Sequence, residues 1–146
     1  MKGVILYAEY NAITGISTVT KETKYGTFTR SVKVHKDDLD IANRFDGCYF
    51  AEMKCDIAAY KEKAKVMRQR ALGVQHLYNV LENSGIYNDL YNEDDDFIYT
   101  QVDEAWQIAK AAKETYEILR DTYSYIVEST LKARREMRSR IETKRS

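Results

Sequence analysis

The fold is decided by the stretch FAEMKCDIAAYKEKAKVMRQRALGVQHLYNVL, residues 50–81. Apolar side chains recur in it at alternating steps of three and four residues, at positions 50, 53, 57, 60, 64, 67, 71, 74, 78 and 81. This spacing puts them on one stripe of an α-helix, and it is typical of helices packed with their axes nearly aligned. The pattern predicts a first helix over residues 37–84, with Asp37 or Asp38 as its N-cap and Gly85 as its C-terminal stop.

A second helix is predicted by the same period, which restarts after an acidic connector at residues 86–96. Asp94, Asp95 and Asp96 are placed to cap this helix and to complement its dipole. Because a short connection joins two long helices, the two should pack antiparallel as a coiled-coil-like helical hairpin. The second helix is expected over residues 97–143. Its apolar stripe consists of Ile98, Val102, Ala105, Ala109, Ala112, Tyr116, Leu119, Tyr123, Ile126, Thr130, Ala133, Met137 and Ile141.

The first third of the chain has the composition of β-strands. Residues 4–10, 15–22 and 27–34 are rich in β-branched and aromatic side chains, and connectors of turn length separate them. They predict a three-stranded antiparallel β-meander over residues 1–35, which needs a cover for its apolar face. We therefore expect one α+β domain over residues 1–146, dominated by the helical hairpin that follows the meander. The absence of proline suits the long helices.

Composition argues against several classes of protein. Lys plus Arg equals Asp plus Glu, at 23 each, whereas nucleic-acid-binding proteins usually carry an excess of positive charge. The opening MKGVILYAEY has too short an apolar run for a signal peptide, and no stretch reaches the length of a membrane span. Cys48 and Cys55 form neither a redox pair nor a disulfide framework. We expect a cytoplasmic protein that does not contact a membrane.

Catalytic, cofactor-binding and metal-binding sites are not expected. His35 and His76 are the only histidines, and neither lies in a metalloenzyme motif. The seven-residue spacing of Cys48 and Cys55 suits no standard zinc site, and the acidic stretch at 92–96 lacks the alternating ligands of a calcium loop. No glycine-rich nucleotide loop or nucleophile elbow occurs in the sequence. The prediction is a protein that is not an enzyme and that uses no cofactor.

The C-terminal stretch KARREMRSRIETKR, residues 132–145, has seven basic and two acidic residues, a local charge of +5. One interpretation is structural, since in the hairpin this stretch would face the acidic start of the first helix and complement the dipole of its own helix. Met137 and Ile141 would then continue the apolar stripe through the basic stretch. The alternative is a protein that grips nucleic-acid backbone without reading its sequence. The residues for this alternative are Arg134, Arg135, Arg138 and Arg140.

Several apolar residues lie off the two stripes, and a two-helix hairpin cannot bury all of them. On the second helix these include Trp106, Ile118 and Tyr125. Large exposed apolar patches are uncommon on soluble monomers. We expect the sheet to cover part of this surface and a second copy of the chain to cover the rest, as a two-fold homodimer through Trp106, Ile118 and Tyr125.

Residues 89–104 contain seven acids and neither Lys nor Arg. Helix capping needs only one or two of these acids, so the others suit an encounter with a basic surface, such as the nucleic-acid-binding groove of an enzyme. The alternative is a solvated turn. The partner-binding residues of the first interpretation are Glu93, Asp94, Asp95, Asp96, Asp103 and Glu104.

The functional prediction is therefore a non-catalytic protein-binding module, an inhibitor or regulator that acts on a larger partner enzyme. Small chains without catalytic motifs are frequent among phage and mobile-element proteins that block host enzymes, including anti-CRISPR inhibitors. This analogy concerns the class of protein and no particular residue.

Overall fold

The computed structural model describes residues 2–33, 44–84 and 92–145, with helix side chains described over 47–84, 99–141 and at 143. It confirms the predicted α+β fold, in which a three-stranded antiparallel meander precedes a long helical hairpin. The elements are β1 (Gly3–Asn11), β2 (Ile16–Thr23), β3 (Gly26–Lys33), α1 (Arg44–Asn83) and α2 (Asn92–Arg145).

The chain forms two compact units. The first, which we call the sheet unit, comprises Met1–Ala59 and Glu117–Ser146. The second, the hairpin unit, comprises Tyr60–Tyr116. Each unit has buried hydrophobic residues of its own.

Within the sheet, β2 is the central strand and pairs antiparallel with β1 on one side and β3 on the other. The side chain of Asn11 shapes the first connection, because its Oδ1 accepts hydrogen bonds from the backbone N–H groups of Ile13 (2.9 Å) and Thr14 (3.1 Å). In the second connection Gly26 has a φ of 137°, which a residue with a Cβ atom rarely adopts. The residues of these two turns thus favour the tight connections that join consecutive strands of the meander.

One face of the sheet packs on the helices and forms the core of the sheet unit. Val19 and Val32 from the sheet are buried together with Phe50, Ala51 and Cys55 of α1. This contact supplies the cover that a three-stranded sheet needs. Half-buried hydrophobic residues pack around the cluster, namely Phe28, Cys48, Met53, Tyr123, Ile126 and Val127.

The first turn of α1 approaches β2 closely where Gly47 lies over Ser17. A Cβ atom at position 47 would lie 2.0 Å from Oγ of Ser17 and 2.8 Å from its Cβ, so glycine alone fits there. Oγ of Ser17 is buried and has no hydrogen-bond partner among the described residues. The absence of a side chain at Gly47 therefore lets the backbone of α1 approach β2 more closely than any other residue would.

The hairpin unit packs through small side chains. Its buried hydrophobic residues, among those described, are Ala71 of α1 and Val102, Ala109 and Ala112 of α2. Alanine lets two helix backbones approach closely, and it adds little to the area that the contact removes from water. At the border of this contact, Nε1 of Trp106 donates a hydrogen bond of 3.3 Å to Oε1 of Gln75.

The apolar stripe predicted on α1, from Phe50 to Leu81, is buried or half-buried at every position. On α2 the same holds for the described stripe residues from Val102 to Thr130. The prediction that the stripe continues through the basic stretch is wrong, because Ala133, Met137 and Ile141 are exposed. A three-four period shows which residues share a helix face, and it does not show that a partner covers that face.

The start of α2 differs from the sequence prediction, while the C-terminal ends of both helices agree with it within two residues. α2 begins at Asn92, five residues before the predicted start at 97, so the acids at 93–96 lie in the helix and not in a connector. Acidic residues are stable in a first helical turn because they complement the helix dipole. The predicted caps at Asp37 or Asp38, the stop at Gly85 and the acidic segment 37–43 lie outside the described residues. No helix in the described part of the chain combines the length and the apolar character that crossing a membrane requires.

Candidate protein-interaction surface

The most unusual surface of the described chain is the strand β1. It lies at one end of the sheet order, so one side of its backbone has no strand neighbour among the described residues. Four consecutive large apolar side chains in it are 47 to 61% exposed, namely Val4, Ile5, Leu6 and Tyr7. We call these four residues the β1 patch. Large apolar side chains exposed next to one another on a soluble chain usually mark an interaction site.

The apolar residues of β1 are exposed on both faces of the sheet. Val4 pairs with Glu22 and Tyr7 pairs with Thr20, so these two side chains share the face of the sheet that carries threonines. Ile5 pairs with Lys21 and lies on the opposite face, which is the one that packs on α1 further along the sheet. The helices therefore leave this half of β1 uncovered.

A β-bulge lies within the patch. The register with β2 passes from Ile5–Lys21 directly to Tyr7–Thr20, so Leu6 is an extra residue on β1. A bulge bends and twists the strand that contains it and changes the direction of its side chains. As a result, Val4 and Tyr7 lie on the same face although they are three positions apart, an odd spacing that would put them on opposite faces of a regular strand.

The polar end of β1 is formed by Tyr7 and Glu9. The phenol O–H of Tyr7 donates a hydrogen bond to Oε2 of Glu9. This bond, together with slight desolvation and the negative charge of Glu9, raises the pKa of Tyr7 above its ordinary value. The Tyr7 ring is thereby held beside the carboxylate, and Glu9 remains exposed at the end of the patch.

The opposite edge of the sheet, on β3, is different in character. Its exposed residues are mostly threonine, serine and charged side chains, and Nζ of Lys54 donates a hydrogen bond of 3.2 Å to the backbone carbonyl of Ser31. Charged residues and covered backbone groups are the usual protection of an edge strand. The described residues protect β3 in this way and do not protect the apolar half of β1.

The sheet that carries β1 is held on α1 by a buried lysine. Nζ of Lys21 donates hydrogen bonds to Oδ1 of Asp56 (2.8 Å) and Oε1 of Glu52 (3.0 Å), and its side chain is almost fully buried. Burial alone would lower the pKa of Lys21, but the bonds to Asp56 and Glu52 outweigh it and raise the pKa above its ordinary value. Since Lys21 pairs directly with Ile5, this contact fixes the position of the patch.

Cys55 reinforces the same helix-to-sheet contact. Its thiol is fully buried and lies 3.4 Å from the backbone carbonyl oxygens of Val19 and Phe28. Burial is the main cause that raises the pKa of this thiol, so it stays protonated and unreactive. Cys55 thus acts as a small buried hydrophobe in the core of the sheet unit.

The residues predicted to mediate self-association lie in different environments. Trp106 is half-buried in the hairpin unit, where it donates a hydrogen bond to Gln75. Ile118 and Tyr125 belong to the sheet unit and are 64 and 73% exposed. Their seven-residue spacing places them on one face of α2.

The predicted partner-binding acids are only partly described. Asp103 and Glu104 are exposed on α2, and Asp103 accepts a hydrogen bond of 2.8 Å from Gln107. The side chains of Glu93, Asp94, Asp95 and Asp96 lie outside the described residues. The arginines of the nucleic-acid alternative are on the last turns of α2, where Arg134 is half-buried and Arg135, Arg138 and Arg140 are exposed.

The β1 patch was missed by the reasoning from sequence, although a signal was present. The letters VILY contain four apolar residues in a row, and a regular strand turns alternate residues to opposite faces. Such a run predicts a strand that is apolar on both faces, which here means an exposed face. The Lys21 contact was also missed, and its signal was the pair Glu52 and Asp56, one helical turn apart on α1.

Among the described residues no group of three or more His, Cys, Asp or Glu side chains is arranged to hold a metal ion. The chain matches no protein-family model, and no curated protein or solved structure is significantly similar to it.

Proposed function

We propose that this protein is a non-catalytic protein-binding module, and that it binds an extended polypeptide segment along the free edge of β1. The observation that carries the proposal is the β1 patch on an unprotected edge strand. Strand addition supplies backbone hydrogen bonds to the free edge, and the apolar side chains on both faces supply buried area.

The contrast between the two edges supports this role. An exposed apolar edge strand invites aggregation, and natural proteins usually blunt it with charge, as β3 does with Arg30 and Lys33. From Val4 to Tyr7 the edge of β1 contains no charged residue and no proline. Such an edge supports the proposal that a bound strand covers β1 when the protein functions.

The acidic region of α2 fits the same function as a second element. Asp103 and Glu104 are exposed in the hairpin unit, and no basic residue occurs from 89 to 104. A negatively charged surface speeds the encounter with a positively charged partner. We therefore propose that the partner is a nucleic-acid-binding enzyme and that this protein regulates it.

The test is capture of partner proteins from the native host with three forms of the chain: wild type, Leu6→Lys and Ile118→Lys. Both substitutions put a lysine in place of an apolar side chain that is more than half exposed, so each should leave the fold intact. We expect the wild type and the Ile118→Lys control to retain the same partner and Leu6→Lys to lose it. Equal capture by Leu6→Lys would refute binding at β1.

A further inference from the structure

We infer that the strand accepted by β1 is β1 of a second copy of this chain, so that two three-stranded sheets join into one six-stranded sheet about a two-fold axis. The inference rests on the proposed function, because it names the strand that binds at the same surface: the protein that Leu6→Lys fails to capture would be a second copy of this chain, and the basic enzyme would meet the acidic region of α2. It also moves the dimer contact from the helical residues suggested by the sequence to the β1 patch.

The bulge determines which registers are available to such a pair. In an antiparallel pair, directly opposite residues lie on the same face of the sheet. A two-fold axis perpendicular to the sheet keeps the two faces of the sheet distinct. Val4 must therefore lie opposite a residue of the second copy that is on the same face as Val4, the face that carries Thr20 and Glu22. Tyr7 satisfies this condition because the extra Leu6 brings it to the face of Val4.

The register that places Val4 opposite Tyr7 of the second copy also matches the neighbouring residues. It places Ile5 opposite Leu6 of the second copy, so apolar side chains meet apolar side chains on both sides of the axis. One step further out, Gly3 faces Ala8, and both lie on the face that packs on the helices, as their partners Thr23 and Val19 show.

Charge is complementary in the same register. Two residues beyond Val4, the exposed Lys2 comes opposite the exposed Glu9 of the second copy. The two-fold axis repeats this pair, so each end of the β1–β1 ladder has one lysine and one glutamate. Opposite charges directly across a strand pair stabilise it, and like charges destabilise it.

The bulge favours an identical strand as the partner. A regular strand added at β1 would lose its register at Leu6, because it has no extra residue to match the bulge. A second β1 has the same extra residue, and the two-fold axis places the two bulges next to each other. The other edge of the sheet does not compete, since Lys54 already occupies the carbonyl of Ser31 on β3. Because β3 is protected by this contact and by its charged residues, we expect pairing through β1 to give a dimer and no larger assembly.

The experiment is sedimentation equilibrium of four forms at high micromolar concentration: wild type, Leu6→Lys, Lys2→Glu and the double variant Lys2→Glu/Glu9→Lys. Wild type should have twice the chain mass of 17.0 kDa. Leu6→Lys places charges at the axis and should weaken the dimer by about a hundredfold or more. Lys2→Glu should weaken it by about tenfold, because two attractive pairs become repulsive, and the double variant should restore wild-type affinity.

The control is Ile118→Lys, which alters the exposed face of α2 and should remain a dimer. Circular dichroism should show all variants to be as helical as the wild type. In the wild-type dimer, the β1 amides should exchange with deuterium more slowly than in Leu6→Lys, which locates the contact on this strand.

Three outcomes would overturn the inference. A monomeric wild type would do so, and the proposed function would still be decided by the capture test, since a foreign strand would also need Leu6. A dimer that survives Leu6→Lys and dissociates with Ile118→Lys would place the contact on α2. A double charge variant that stays as weak as Lys2→Glu would exclude this register.

Discussion

At the contact between Gly47 and Ser17, the substitution Gly47→Ala has two effects of opposite sign on the free energy of unfolding. Replacement of glycine by alanine inside a helix normally stabilises the folded state by about 1 kcal/mol, because alanine loses less backbone entropy. At Gly47 the new methyl group would lie 2.0 Å from Oγ of Ser17. Overpacking of a core contact costs about 1–3 kcal/mol, and so deep an overlap belongs at the upper end of that range. We expect Gly47→Ala to destabilise the protein by about 2 kcal/mol net.

Gly73 provides a matched control on the same helix. A Cβ atom added there would meet no atom within 4 Å, so Gly73→Ala keeps the entropic gain and adds no clash. It should stabilise the folded state by about 0.8–1 kcal/mol. The same chemical change at two positions of α1 should therefore shift stability in opposite directions.

The overlap at Gly47 can also be relieved from the other side. Ser17→Ala removes the Oγ atom and leaves only the Cβ atom at 2.8 Å from the new methyl group. In the Gly47→Ala background it should recover about 1 kcal/mol, since the closer of the two contacts is gone. Alone, Ser17→Ala should be neutral or slightly stabilising, because it removes a buried hydroxyl that has no partner among the described residues.

The assay is urea unfolding followed by circular dichroism at one fixed protein concentration, so that self-association does not alter the comparison. If Gly47→Ala proved as stable as the wild type or more so, α1 would not approach β2 as closely as described. A Gly73→Ala variant that lost stability would instead show that helix entropy does not dominate at open positions of α1.

Three further predictions concern the buried charge, the thiols and the basic stretch. Lys21→Met should cost about 2–4 kcal/mol in urea unfolding, because it removes the buried cation to which Glu52 and Asp56 are both bonded. Because the folded-state pKa of Lys21 is raised, this loss should be fully present at neutral pH and should shrink as the pH rises beyond about 10.4. Under native conditions a disulfide reagent should modify the half-buried Cys48 quickly and Cys55 only on unfolding; equal rates would contradict the burial of Cys55. Fluorescence anisotropy with a labelled DNA or RNA should show no binding at low salt; salt-sensitive binding that Arg135→Glu and Arg138→Glu abolish would favour the nucleic-acid alternative.

The helices were predictable because their periodic apolar stripes report directly which side chains share a face. From Phe50 to Leu81 each position of the stripe is buried or half-buried, so sequence and structure agree along α1. The same rule failed at Met137 and Ile141, which keep the period and are exposed. Whether a face is covered depends on an element distant in sequence, and a period within one helix contains no information about it.

The contacts that position β1 could not be predicted for a related reason. Lysine is usually exposed, and Lys21 is buried only because the fold brings two α1 carboxylates to β2 from more than thirty residues away. The bulge at Leu6 likewise depends on the register with β2 and not on the residues of β1 alone. Only the apolar run itself was visible, and its exposure requires the order of the strands.

The contacts that fix the sheet on α1 also explain why the apolar residues of β1 stay exposed. Were the sheet loosely attached, β1 could turn Ile5 towards the helices and bury it, and the patch would disappear. Gly47 over Ser17 and Lys21 between its two carboxylates prevent such a shift, since each contact tolerates little displacement of α1 relative to β2. On this account the fixed side of the sheet keeps the β1 patch exposed, and a strand held in place would lose less entropy on pairing with the proposed second strand. Destabilising variants at position 21 or 47 should on this account weaken strand addition even though neither residue would touch the added strand.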